Sequence, residues 1–246
     1  MGWHYRRLVV PRILPQCRKI ITVSHFERNR IREALRLPDG QITTVYNGYS
    51  RHFYPQEDPS PITRKYIEES RYLFFLGNTD PKKNVPRTLK AYSLYREKSP
   101  KPLPLLIADI KEEILGSILR EQGIEHVRPH IVCPGYIPNT DLPYLYSGAF
   151  AFLYTSLRES FGIPLLEAMA CGTPVVTSNT SSMPEVGGPG ALLCDPTDAK
   201  DIAHKILSLE KDPALYRQQI QYGLRRAKRF SWETTATELL SIYKSI

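Results

Sequence analysis

The chain has 246 residues, 41% of them apolar and 24% charged, with a formal net charge of +8. These values exclude a disordered or fibrous chain and bound it to one large domain, or one domain with an appendage. No apolar run reaches the ~18–20 residues of a membrane-spanning helix, and the stretch behind Arg6 and Arg7 is interrupted by Pro11, Arg12 and Pro15, too broken for a secretory signal.

Residues 1–36 carry nine Arg and Lys against Glu27 and Glu33, so +7 of the +8 lies in the first seventh of the chain. A segment of this kind attracts phosphates or acidic surfaces; a solvated basic face with no partner is the alternative. Nucleic acid is not expected, because no aromatic–basic interleaving or recognition motif accompanies the charge. Strands are predicted at 19–24 and 43–46. Asn47-Gly48 then marks a turn, and Pro55, Asp58, Pro59, Ser60 and Pro61 an extended linker over 49–69. Residues 1–48 thus read as the closing strand and helix of a larger unit, so a fragment is the natural expectation.

Further strands are predicted at 72–76, 103–108, 149–154, 174–178 and 191–194, separated by helices near 85–98, 111–122 and 197–209. The runs Leu73-Phe74-Phe75-Leu76 and Phe150-Ala151-Phe152-Leu153 are apolar on both faces, as central strands covered by helices should be. The alternation predicts an α/β domain with a doubly wound parallel sheet over 70–230. A last helix spans 231–246. Ser231 is its N-cap, and Trp232, Ala236, Leu239 and Tyr243 form one face, expected to pack. Cys17, Cys133, Cys171 and Cys194 are far apart, without metal-ligand spacing, and read as reduced thiols.

The stretch from Glu159 to Glu185 carries the most chemistry. Between Ser160 and Pro184 its only charged residue is Glu167, set among Leu165, Leu166, Ala168, Met169 and Ala170. A carboxylate on a buried helix needs a cavity or a dedicated partner, because stripping its water costs several kcal/mol; a structural Arg would serve as well as a ligand. Gly162 permits close backbone approach and Pro164 suits a first helical turn, so the unpaired N–H groups there offer an anion site. A phosphate at that end would leave Glu167 one turn further in, within reach of vicinal hydroxyls. The loop Gly77-Asn78-Thr79-Asp80-Pro81-Lys82-Lys83-Asn84 follows a predicted strand, on the side where open α/β sheets bind ligands, and its lysine suits a diphosphate.

ESFGIPLLEAMACGTPVV resembles the E-x7-E signature of family 4 glycosyltransferases of the GT-B architecture. GNTDPKKN resembles the same family's first phosphate loop, and GYIPNTDLPYLYSGAFAFLYTSLRESFG, SNTSSMPEV, ITVSHFERNRIREAL and VYNG extend the likeness over nearly the whole chain. The likeness points to the bacterial mannosyltransferase-like branch that builds polysaccharides. It implies a Rossmann-like C-terminal half that binds the donor, preceded at 1–48 by the end of a truncated acceptor domain. The implied reaction is retaining transfer of a mannose-like hexose from a GDP- or UDP-linked sugar to a glycan or lipid-linked acceptor. The alternative is a non-catalytic nucleotide-sugar-binding subunit or remnant that needs a partner half. By the resemblance, Glu167 holds the ribose and Glu159 faces the transferred sugar. The backbone of Phe161 and Gly162 contacts sugar and phosphate, Lys83 neutralises the diphosphate, and Tyr136 and Ile137 border the base. Gly77, Asn78, Ser160 and Ile163 complete the donor site. No D-x-D motif is present, so no metal or other cofactor is expected. The implied location is the cytoplasm, with peripheral contact at the inner membrane face through the basic N-terminus. Two positions depart from the family pattern: Asn78 stands where Arg is common, and Asp109 ends a strand where Gly is usual.

Overall fold

The computed structural model describes residues 5–245. After helical turns over residues 5–16 comes a two-stranded parallel ribbon, with β1 (Ile20–Thr22) paired to β2 (Ile42–Thr44) and α1 (His25–Leu35) as the crossover. Ser24 caps α1 by accepting the Glu27 N–H at 3.2 Å. Ile20, Leu37 and Ile42 form a small core beneath the helix. Part of the basic charge is neutralised here, since Arg28 and Arg32 both pair with Asp39.

The main body is a six-stranded sheet made of β3 (Leu73–Leu76), β4 (Leu105–Ala108), β5 (Ile131–Gly135), β6 (Ala151–Tyr154), β7 (Val175–Ser178) and β8 (Leu192–Cys194). Its spatial order is β5-β4-β3-β6-β7-β8, and every pairing is parallel. This is the doubly wound order of a Rossmann-like domain, so the expected fold class holds. The chain leaves β3 toward one edge and returns at β6 to build toward the other. Loops after these two strands diverge and open a crevice between them.

Alternation along the central strands sorts side chains into two cores. Leu73 and Phe75 face one layer, together with Leu89, Tyr92, Leu115 and Ile206. Those residues come from α2 (Val85–Lys98), α3 (Glu112–Glu121) and, beyond the helices named next, from 199–211. Tyr72 and Phe74 face the other layer with Tyr146, Leu165, Leu166 and Met169, supplied by α4 (Leu142–Gly148) and α5 (Ile163–Ala170). After α5 come α6 (Met183–Gly187), α7 (Ala199–Lys211), α8 (Pro213–Ala227) and α9 (Trp232–Lys244). No helix among the described residues is long and apolar enough to cross a membrane.

Several expectations change. β5 is absent from the predicted strands; it is an edge strand holding Pro134, with an irregular register against β4, and only Ile131 in it is buried. α8 also goes unpredicted because its composition is polar, although Asp212 caps it through the N–H groups of Ala214 and Leu215. The presumed packing face of α9 is wrong: Trp232 is 46% and Tyr243 62% exposed. Its buried residue is Thr235, whose hydroxyl donates to the Tyr46 carbonyl at 2.6 Å. The helix therefore turns Thr235, Leu239 and Ile242 inward. A polar anchor on the ribbon side, rather than the larger apolar side chains, sets its rotation. Ser231 is the N-cap as expected, accepting from the Thr234 N–H at 3.1 Å. The segment 49–69 is not extended throughout: it forms a helical turn at Ser60–Thr63 and buries Phe53 and Ile67 in the second core.

Asn84 holds the first cleft loop in place. It adopts a left-handed conformation (φ 61°) between the turn Pro81–Lys83 and α2. It is only 3% exposed, and its amide donates to the carbonyls of Thr155 at 2.9 Å and Pro196 at 2.8 Å. Asn84→Ala leaves both carbonyls without their donor and should cost about 2–4 kcal/mol. Urea unfolding followed by circular dichroism measures this directly.

Candidate functional site

Because β3 and β6 flank the point where strand order reverses, the two loops that follow them face each other. Gly77 packs against the end of β4, and a Cβ there would lie 3.3 Å from the Ala108 carbonyl oxygen. Asn78 accepts the Asp80 N–H and Asp80 that of Lys82, so the loop winds tightly and brings Lys83 round to the crevice. From the other side, the loop after β6 delivers Glu159. Lys83 Nζ lies 2.8 Å from Glu159 Oε1, and the two side chains are 17% and 13% exposed.

A net of serines fixes the second loop. The Glu159 N–H donates to Ser181 Oγ at 3.1 Å. Ser182 Oγ reaches the carbonyls of Glu159 and Phe161, both at 2.9 Å. The ribbon contributes as well: Ser24 Oγ donates to the Ser160 carbonyl at 2.7 Å, and Ser160 Oγ to Glu27 at 3.1 Å. The Phe161 ring is buried among Tyr46 and Phe230 with centroids 5.9 and 5.8 Å away, which turns its backbone toward the cleft. Gly162 follows with φ 107°, and a Cβ there would sit 3.2 Å from the Tyr154 ring, so glycine is required on both counts. α5 begins immediately, with Pro164 in its first turn.

The result is a cleft of about 550 Å³ lined by Lys82, Lys83, Tyr154, Arg158 and the run from Glu159 to Pro164, and closed on the ribbon side by Val23 and Asn47. Four cationic or dipolar elements converge there: Lys82, Lys83, Arg158 and the N-terminal end of α5. Such a site favours an anion.

Glu167 lies one turn along α5, behind that end. Among the described residues no Arg or Lys pairs with it; its hydrogen bond is from the Tyr146 hydroxyl at 3.4 Å. Burial pushes its carboxyl up to about 7, and the Tyr146 bond only partly offsets this. Asp109 takes a left-handed conformation (φ 59°) at the end of β4. Burial raises its pKa, while Lys83 pulls it down, which places it in the field of the same cation.

Of the residues singled out from sequence, Lys83, Glu159, Ser160, Phe161, Gly162 and Ile163 line one cleft. Gly77 and Asn78 shape its first loop, and Glu167 stands behind its rear wall. Tyr136 and Ile137 separate from each other: Tyr136 is 77% exposed at the end of β5, whereas Ile137 is 4% exposed within the second core. Sequence reasoning passed over Tyr154, Lys82, Arg158 and Asn47. It also passed over Ser181 and Ser182, whose signal was an uncharged serine run directly after a strand.

A doubly wound domain with a cationic cleft at its switch point and a partly buried carboxylate behind a helix start defines an α/β protein whose ligand site lies where the strand order reverses. The chain belongs to the glycosyl transferases group 1, whose model matches residues 62–226. It is 34% identical over 241 residues to the O-antigen chain mannosyltransferase B of Escherichia coli, covering 94% of this chain and 61% of that protein. The chain thus spans about three fifths of that relative's length. Among solved structures it is similar to sucrose-phosphate synthase from Thermosynechococcus elongatus, with a TM-score of 0.83 and 25% identity, over 98% of this chain and 61% of that one. The C-terminal domain of a group 1 glycosyl transferase, LpcC, from Francisella tularensis shares the fold with a TM-score of 0.60 and 21% identity; 74% of this chain covers 96% of it. The doubly wound sheet is therefore that of the C-terminal half of a GT-B transferase.

The Glu167 carboxyl gives the empty protein a pH signature. Its folded pKa of about 7 lies above the ordinary carboxylate value of 4.5, so folding favours the protonated form. The associated stability is complete below pH 4.5 and is lost as pH rises through 7. Glu167→Gln should therefore be more stable than wild type at pH 8, by about 3 kcal/mol, and close to it at pH 4. Thermal melts at the two pH values check this.

Proposed function

We propose that this chain supplies the donor side of a retaining glycosyltransferase that moves a mannose-like hexose from a nucleoside-diphosphate sugar to a glycan or lipid-linked acceptor. The observation that carries the reading is the convergence of Lys83, Lys82, Arg158 and the start of α5 on one cleft, with Glu167 one turn behind and paired with no cation among the described residues. The diphosphate occupies the cationic side, where Lys83 and the first-turn N–H groups of α5 meet its oxygens. Glu167 accepts from the ribose hydroxyls, which supply the donors that its burial lacks. Tyr136 borders the base from the loop after β5.

In the reaction the bond between the anomeric carbon and the β-phosphate oxygen breaks, and the departing diphosphate keeps the electron pair. The acceptor hydroxyl attacks from the same face and passes its proton to that phosphate oxygen, so configuration is retained. The protein's part is to stabilise charge on the leaving group with donors already in place. Glu159 orients the sugar without forming a covalent bond to it. The O-antigen mannosyltransferase named above supports the choice of sugar and of polysaccharide synthesis as the setting.

The same reading places the protein at the cytoplasmic membrane face. Leu8, Val9 and Ile13 are 49%, 36% and 48% exposed, interleaved with Arg7 and Arg12. Charge and apolar surface together suit an anionic bilayer. Binding to vesicles containing anionic lipid should fall as salt is raised from 50 to 500 mM, as co-sedimentation would record; binding insensitive to salt would contradict it.

Calorimetry with GDP, UDP and ADP tests the donor site. Lys83→Ala should weaken the preferred nucleotide about tenfold or more through loss of a charge-assisted contact, and Glu167→Gln should weaken it similarly through the ribose. Unchanged affinity in both variants would defeat the assignment.

A further inference from the structure

Among the described residues the buried hydroxyl of Tyr154 has no hydrogen-bond partner. Two buried side-chain polar atoms lack a hydrogen bond among the described residues, Tyr154 Oη and Glu210 Oε2. Only the first borders the cleft. A buried hydroxyl without a partner is destabilising, and each instance in a folded protein calls for an explanation.

Its surroundings supply one. Tyr154 is the last residue of β6 and 2% exposed. Its ring is stacked on Phe152, with centroids 5.8 Å apart, and wedged beneath Gly162. Lys83 Nζ stands 5.5 Å from the ring centroid, on its way to Glu159. Burial first, then the charge and nearby carboxylate oxygen of Glu159, and last the charge of Glu167 raise its pKa and keep it a proton donor; Glu159 is thus the acceptor that the hydroxyl faces, although no hydrogen bond of good geometry joins the two. In the empty cleft Glu159 Oε1 is already served by Lys83 at 2.8 Å.

The difficulty arises when a diphosphate enters. Lys83 is the flexible cation at the site, and the added negative charge draws it off Glu159. A carboxylate only 13% exposed is then left without its counter-ion. Breaking one side of a buried pair is strongly unfavourable unless another donor steps in. Tyr154 carries a buried donor with no hydrogen bond of its own among the described residues, and Glu159, once Lys83 has let go, need only shift toward it for a bond to form while the wedged ring stays in place.

We propose that Tyr154 is a positioning residue that takes over Glu159 by hydrogen bond when the diphosphate of a bound nucleotide claims Lys83. The orphan hydroxyl of the empty protein is the reserve for the bound one. This rests on the donor-site reading above, and it adds that nucleotide affinity depends on a group that touches no phosphate.

The test is a double-mutant cycle on nucleoside-diphosphate affinity, measured by calorimetry with GDP and UDP for wild type, Tyr154→Phe, Glu159→Gln and the double variant. Tyr154→Phe keeps the ring, and since the hydroxyl has no partner in the empty protein, its unfolding midpoint should equal or exceed that of wild type. With Glu159 present, loss of the hydroxyl should weaken the nucleotide about tenfold. In the Glu159→Gln background, where no stripped carboxylate needs a donor, the same change should have less than a twofold effect. An equal loss in both backgrounds, no loss in either, or a marked fall in the stability of empty Tyr154→Phe would overturn the proposal while leaving the donor site standing. Wild type that binds neither nucleotide would instead refute the donor site itself, and the proposal with it.

Discussion

One ion pair closes the architecture around the cleft. Lys83 arrives on the loop after β3 and Glu159 on the loop after β6, and their contact at 2.8 Å spans the point where the strand order reverses. Everything near it serves to bring those two ends together. Asn84 anchors one loop through two buried carbonyls, and Ser181 and Ser182 anchor the other. Phe161 is seated among aromatic rings, so the turn into α5 cannot drift. The sheet provides a rigid frame, and the loops' own hydrogen bonds provide the aim. The pair also leaves the empty cleft nearly balanced at its centre, with a lysine and a carboxylate that an incoming anion must part.

The ribbon of residues 20–44 is tied to this frame by the same kind of chemistry. Glu185, on α6, accepts from the N–H groups of His25 at 2.7 Å and Phe26 at 3.0 Å, so a carboxylate from the main body caps α1 across the interface. Ser24 and Glu27 return the contact through Ser160. The first turn of α1 and the loop that carries Glu159 therefore share one hydrogen-bonded network, and displacement of the ribbon would disturb the cleft directly.

How much of this was legible in the sequence depends on which force set each element. The central strands were plain because Phe74 and Phe152 lie in runs apolar on both faces, a pattern that only a doubly covered sheet satisfies. The charge-poor stretch around Glu167 pointed to a buried carboxylate, and the structure shows one that is partly buried, with a tyrosine hydroxyl as partner in place of an arginine. β5 was not visible, because an edge strand with a proline carries little apolar signal. α9 was found but its face was misjudged: the Thr235 bond to Tyr46 outweighs the pull of Trp232 and Tyr243. At the cleft, Lys83 and Glu159 were foreseen, whereas Ser182 and Tyr154 were not. Their importance lies in which backbone oxygen or carboxylate they face, and that is decided by chain segments far apart in sequence.

The left-handed glycine at the entrance to α5 has a consequence for remodelling this protein. Position 162 is closed twice, by its own dihedral of 107° and by the ring beneath it. Neighbouring positions are not so confined: Arg158 is half exposed and salt-bridged to Glu27, and Ile163 is partly open at the cleft wall. Variation that retunes which ligand fits can therefore accumulate at 158 and 163, on either side of an immovable hinge. Libraries built to alter selectivity should leave 162 alone and spend their diversity on those two flanks.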